Sequence, residues 1–162
     1  MKVNFVDLKI QYHSIKKEVD AAIQDVLDNT AFIMGDRLKN FENNFAKAHK
    51  ANYCLGTSSG TDSLHLALWV LDIGEGDEVI VPVNTFFATA EAVSLTGAIP
   101  IFVDNDPVNY NIDAAKIKEK ISEKTKAIIP VHLYGQSADM DSILNISRKY
   151  NLLFTSFTPS HL

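Results

Sequence analysis

The chain opens with two stretches in which apolar residues recur at helical spacing. Across residues 12–28 the apolar positions include Ile15, Val19, Ala22, Ile23, Val26 and Leu27, which fall on one face of an α-helix. Asp36 reads as the N-cap of a second helix, with Leu38, Phe41, Phe45 and Ala48 on its buried side. The texture changes at Tyr53, where short and nearly continuous apolar runs begin to alternate with helical segments. Residues 53–57, 78–82, 99–103, 127–131 and 152–155 are predicted strands; residues 61–71, 87–95, 113–121 and 139–150 are predicted helices. Strands that are apolar throughout are covered on both faces. Their alternation with helices predicts an α/β layered fold around a largely parallel sheet. With no repeat, low-complexity tract or linker in view, the chain reads as a single domain over 1–162, helical over 1–50 and α/β over 51–162.

Composition narrows the field. The net charge is −5, and the lysines (Lys16, Lys17, Lys116, Lys118, Lys120) lie among acids, as solvated helix faces do. Binding to a nucleic acid backbone needs clustered Lys and Arg, so no nucleic-acid partner is expected. No apolar stretch approaches the ~20 residues of a membrane span, and no secretory h-region is visible, so a cytoplasmic protein without membrane association is expected. Cys54 is the single cysteine, which excludes an internal disulfide and a cysteine cluster for zinc. It reads as a small buried hydrophobe.

In sheets of this kind ligands gather beyond the carboxyl ends of the strands, where helices present their N-termini. Four segments fall there. Gly56-Thr57-Ser58-Ser59-Gly60-Thr61 combines close backbone approach, hydroxyls and free N–H groups, which suits a phosphate; it suits a well-capped helix equally. It matches neither the Walker pattern nor the dinucleotide fingerprint. Val83-Asn84-Thr85-Phe86-Phe87 offers an aromatic for a planar ring, with Phe87 assigned to the core. Val103-Asp104-Asn105-Asp106 reads as turn chemistry rather than a metal site. His132, in His132-Leu133-Tyr134-Gly135-Gln136, is either a site residue or a hydrogen-bonded structural histidine.

Taken in order, several segments resemble the DegT/StrS-type aminotransferases that act on nucleotide-linked keto-sugars. They are Phe32-Ile33-Met34-Gly35, Ser58-Ser59-Gly60-Thr61-Asp62-Ser63-Leu64, Gly76-Asp77-Glu78-Val79-Ile80 and Asn84-Thr85-Phe86-Phe87-Ala88-Thr89-Ala90-Glu91-Ala92, followed by Gly97-Ala98-Ile99-Pro100 and Phe102-Val103-Asp104. The most specific is Thr125-Lys126-Ala127-Ile128-Ile129-Pro130-Val131-His132-Leu133-Tyr134-Gly135-Gln136 with Ala138-Asp139-Met140. The resemblance implies the three-layer α/β/α large domain of the aspartate aminotransferase fold, here truncated, and pyridoxal 5'-phosphate (PLP) as cofactor. It also implies a homodimer, glutamate as amino donor and a role in amino-sugar and polysaccharide assembly. By motif, Ser59, Gly60 and Thr61 would hold the cofactor phosphate and Phe86 would stack on its ring. Met34 and Gly35 would lie near the sugar-nucleotide entrance.

The sequence departs from the family after Leu152. The family carries there an Asp-Ala-Ala-Gln segment, whose Asp opposes the protonated pyridine nitrogen, and later an imine-forming lysine. Here no Asp or Glu follows Asp141 and no Lys follows Lys149. The chain as given is therefore expected to have no catalytic residue of that kind and to be the N-terminal portion of such an enzyme, unable to transaminate. Two alternatives are a non-catalytic partner of a full-length homologue and a dehydratase-like enzyme with His161 at the lysine position. The resemblance also implies that residues 53–57 pair with a strand outside the chain, so marginal stability is expected.

Overall fold

The computed structural model describes residues 6–158, and the chain divides into two compact units, one ending at Gly56 and one beginning at Thr57. The first unit holds α1 (Leu8–Asp28) and α2 (Asp36–Ala48). Asp7 starts α1 by accepting from the backbone N–H groups of Lys9 and Ile10 at 3.1 and 3.2 Å. Asp36 is not the cap of α2. Gly35, in extended conformation, takes that place, and Asp36 lies in the first turn, where the helix dipole favours a carboxylate. A second correction concerns the amphipathic faces. No residue of α1 is buried and only Ala46 of α2 is, while Ile15, Ile23, Leu27, Phe41 and Phe45 are exposed. Periodicity reports a face that wants cover, and the described residues do not supply it.

The second unit begins with α3 (Gly60–Val70) and continues as β1 (Glu78–Pro82), α4 (Phe87–Leu95), β2 (Ile99–Val103), α5 (Ala114–Lys120), β3 (Thr125–Ile128), α6 (Met140–Tyr150) and β4 (Leu153–Phe154). The four strands are parallel in the order β2-β1-β3-β4. Adjacent residues on β1 point to opposite faces, and two cores follow from that alternation. Val79 and Val81 join Ala127, Ile129 and residues of α3 and α4, including Leu64, Leu68, Ala92 and Val93. Ile80 joins Val103 and Ile128 with Ile117 of α5 and Ile143 and Ile146 of α6. This is the expected three-layer α/β/α architecture, and covering both faces explains why the strands read as unbroken apolar runs.

Residues 53–57, expected to form a strand, are in no ladder, and Tyr53 and Leu55 are exposed. A strand exists through its neighbours' N–H and C=O groups, and none of the described residues pairs with this segment. Cys54, expected to be buried, is half-buried for the same reason.

Connection geometry sets the site. After β1 the chain passes through α4, on one face of the sheet, to β2 on one side; after β3 it passes through α6, on the other face, to β4 on the other side. The loops leaving the adjacent strands β1 and β3 therefore diverge, which opens a crevice beyond their carboxyl ends.

Candidate functional site

The start of α3 lies at this end of the sheet. A Cβ built on Gly60 would meet the Phe157 ring at 3.3 Å, and Phe157 follows β4, with its carbonyl accepting from His132 N–H at 2.9 Å. Ser59 caps the helix: its Oγ accepts from Asp62 N–H at 3.1 Å. Ser63 Oγ donates to Ser59 O at 3.0 Å and fixes the turn. The N–H groups of Gly60 and Thr61 have no acceptor among the described residues, as the first turn of a helix requires.

Cap chemistry separates this helix start from those of α5 and α6. Asp113 and Asp139 cap α5 and α6 with carboxylates, which already answer the positive end of each dipole. The α3 cap is a neutral hydroxyl, so the potential there remains available to an anion. Asp62 in the first turn offsets part of it. Its carboxyl is held below the usual range by the Ser58 hydroxyl and then by Ser59, and Ser58 Oγ donates to it directly.

The loop after β1 places Phe86 at the N-cap of α4, without a side-chain cap bond and 63% exposed. Phe87, assigned to the core, is 72% exposed instead. Both rings stand at the helix start, and α4 turns Ala88, Thr89, Ala92 and Val93 inward. The two segments that α3 and α4 begin from thus bring Ser59, Gly60, Thr61 and Phe86 to one end of the sheet. Met34 and Gly35 belong to the first unit. Met34 is exposed with φ at +50°, and Gly35 has Ala31 O where a Cβ would sit, at 3.2 Å.

The other candidates are structural. Asp106 accepts from Val108 and Asn109 N–H at 2.8 and 3.0 Å, and those bonds, Asn109 first, hold its carboxyl below the usual range. Asp104 pairs with Lys116 at 3.2 Å. Among the described residues no group of three His, Cys, Asp or Glu side chains could hold a metal ion. His132 Nδ1 accepts from Ala138 N–H at 3.1 Å, which ties the ring to its own loop. His161 lies outside the described residues. No described helix is long and apolar enough to cross a membrane.

Sequence reasoning missed three asparagines around this crevice. Asn84 Nδ2 donates to Tyr110 O at 3.1 Å, Asn105 Nδ2 donates to the same carbonyl at 2.7 Å, and buried Asn111 joins the loop after β3. Its Oδ1 accepts from Leu133 N–H at 3.0 Å and its Nδ2 donates to Ser137 O at 3.2 Å. Asn84 and Asn111 reach partners 22 to 26 residues away, so local pattern carries no sign of them.

A parallel sheet covered by helices on both faces, with a crevice beyond its strand ends, is the architecture of the PLP-dependent aminotransferases. The structure of DesV from S. venezuelae in complex with a ketimine intermediate matches with a TM-score of 0.93 and 41% identity, over 96% of this chain and 42% of that one. The structure of ntda from Bacillus subtilis with bound cofactor PMP matches with a TM-score of 0.89 and 36% identity, over 96% and 37%. The chain belongs to the DegT/DnrJ/EryC1/StrS aminotransferase family, whose model matches residues 13–156. It is 47% identical over 150 residues to the dTDP-3-amino-3,6-dideoxy-alpha-D-galactopyranose transaminase of Aneurinibacillus thermoaerophilus, over 93% of this chain and 41% of that protein. The chain thus spans about 41% of the length of the curated relatives it matches.

Proposed function

We propose that this chain supplies the cofactor-phosphate and ring-stacking part of a cytoplasmic, PLP-dependent aminotransferase acting on nucleotide-linked keto-sugars. The observation that carries the reading is the start of α3. Its cap is neutral, its Gly60 and Thr61 N–H groups lack acceptors among the described residues, and it stands at the carboxyl end of the sheet. There Ser59 would donate its hydroxyl proton to a phosphate oxygen while Gly60 and Thr61 offer backbone N–H groups. Phe86, exposed at the start of α4, would lie against the ring. PLP, when bound, supplies the electron sink for amino-group transfer. Met34 and Gly35 would border the sugar-nucleotide entrance, glutamate would donate the amino group and the working form would be a homodimer.

What these residues do is bind and orient. The 162-residue chain is expected to bind PLP reversibly. Absorbance titration with PLP tests this directly. Replacing Ser59 by Ala, which removes the hydroxyl and leaves the Gly60 and Thr61 N–H groups in place, should weaken binding by about tenfold, on the order of 1.4 kcal/mol. Inorganic phosphate should compete with PLP in the unmodified chain. Binding that ignores both changes would overturn the proposal.

The uncovered apolar faces of α1 and α2 favour a second reading, a partner for a full-length relative. A stable hetero-oligomer on co-expression would support it.

A further inference from the structure

The three loops that leave β1, β2 and β3 each carry one exposed aromatic: Phe86, Tyr110 and Tyr134. Tyr110 and Tyr134 both have left-handed backbone angles, φ +62° and +55°, which bulky residues adopt only where surroundings impose them. The Tyr110 turn is closed by its own N–H donating to Asp106 O at 2.9 Å and the Tyr134 turn by Gln136 N–H donating to Leu133 O at 2.9 Å, and asparagine amides link the loops to one another. Asn84, two residues before Phe86, donates to the Tyr110 carbonyl, and Asn105 donates to the same oxygen. Asn105 does so although its own Oδ1 is buried without a partner. Asn111, adjacent to Tyr110, is 1% exposed and links onward to Leu133, beside Tyr134, and to Ser137. The Tyr110 and Tyr134 rings then meet edge to face, with centroids 6.2 Å apart and planes at 88°.

We propose that Asn84, Asn105 and Asn111 form a positioning network that fixes the Phe86 loop against its two neighbours, so that the ring-stacking side chain is held in place before the cofactor arrives. The inference rests on the assignment of Phe86 to the cofactor ring. None of the three asparagines is given a contact with the ligand; each acts through a carbonyl or N–H of a loop. Holding the loops in the unliganded state removes an ordering cost from binding. Loss of one link should therefore show both as loop opening without ligand and as weaker binding with it.

The decisive variants are Asn84→Ala and the isosteric Asn84→Asp, whose carboxylate cannot donate to Tyr110 O. Asn84 is exposed, so neither change removes core packing. In the unliganded 162-residue chain, hydrogen exchange across residues 83–87 should accelerate by about tenfold in both variants, with α6 unchanged. Affinity for PLP should fall by about fivefold to tenfold when Phe86 is present and by less than about twofold in a Phe86→Ala background. Competition by inorganic phosphate alone should be unaltered, because the start of α3 is untouched. Unchanged exchange, or an equal loss of affinity with and without Phe86, would overturn the network. If the unmodified chain does not bind PLP, or Phe86→Ala binds it as well as the unmodified chain, the underlying site assignment fails and the inference with it. Normal PLP binding lost in Phe86→Ala but kept in both Asn84 variants defeats the inference alone.

Discussion

The two units of this chain were built from equally strong sequence patterns and reached different ends. The unit from Thr57 onward sandwiches its sheet between helix pairs, so that Leu68, Val79, Ile80, Val81, Ile117 and Ile128 are each fully buried. The unit ending at Gly56 has two well-formed helices, and of their side chains only Ala46 is buried. Amphipathic periodicity is therefore evidence of a face, not of its cover. A helix in the second unit draws its stability from packing. One in the first depends on the Asp7 cap, the Lys16–Asp20 ion pair within α1 and the Arg37–Asp25 pair that joins α2 to α1.

Substitution should expose that contrast most sharply in the cores. Leu68→Ala, in α3 and fully buried, should cost about 2–5 kcal/mol in urea unfolding. Phe45→Ala, at 45% exposure in α2, should cost less than about 1 kcal/mol. Equal losses would mean that the first unit's faces are covered in solution.

A smaller effect lies in the helix caps. Asp139 Oδ1 accepts from Ser142 N–H at 3.2 Å, and bonds from the Ser142 side chain and backbone hold its carboxyl below the usual range. Asp139→Ala should cost about 1 kcal/mol. The sign of the pH effect follows from the direction of the shift. A carboxyl depressed in the folded state contributes stability that is fully present above its unfolded value, near ~3.9, and lost as pH falls through the lower folded value. Asp62, Asp104 and Asp106 are depressed in the same direction, so urea midpoints should fall steadily below about pH 4. A midpoint flat from pH 5 to pH 2 would contradict this.

Least of all should follow from the surface pair on α1. Lys16 lies beside Asp20, which raises its own ammonium and lowers that carboxyl, yet both are solvent-screened. Lys16→Ala should leave the thermal midpoint unresolved from that of the parent chain. A clear drop would show that exposed charge, not packing, sustains the first unit.

Much of the second unit was legible because its signals are local. β1 and β2 occupy the expected residues, and α4 begins and ends where the pattern placed it. Gly97, at φ +87°, follows the C-cap of α4 and stops it. What failed to show was non-local. Residues 53–57 have strand composition but no ladder, because composition names a willingness to pair and not a partner. Phe87 was placed in the core by its helical position, while α4 buries small residues and leaves its first aromatic ring outside. The anion-competent turn was visible at Gly56–Thr61 as a choice between cap and phosphate seat. The structure shows the cap, with Ser59 Oγ accepting from Asp62 N–H; the phosphate seat is the proposal. The asparagines could not be singled out, because side-chain amides that bridge loops leave no periodic trace.

Gly60 has a further consequence. Lacking a side chain, it lets the Phe157 ring lie beneath the first residue of α3, and that ring also packs on the core shared by α3, α4 and the sheet. The proposed anion seat would thus have an apolar floor continuous with the protein's interior. Water is kept from one side of the amide dipoles, which strengthens their pull on a negative charge. The floor also makes rigidity and affinity inseparable: whatever softens the packing under Phe157 will tilt the seat, and an occupant that grips the seat will brace the packing in return.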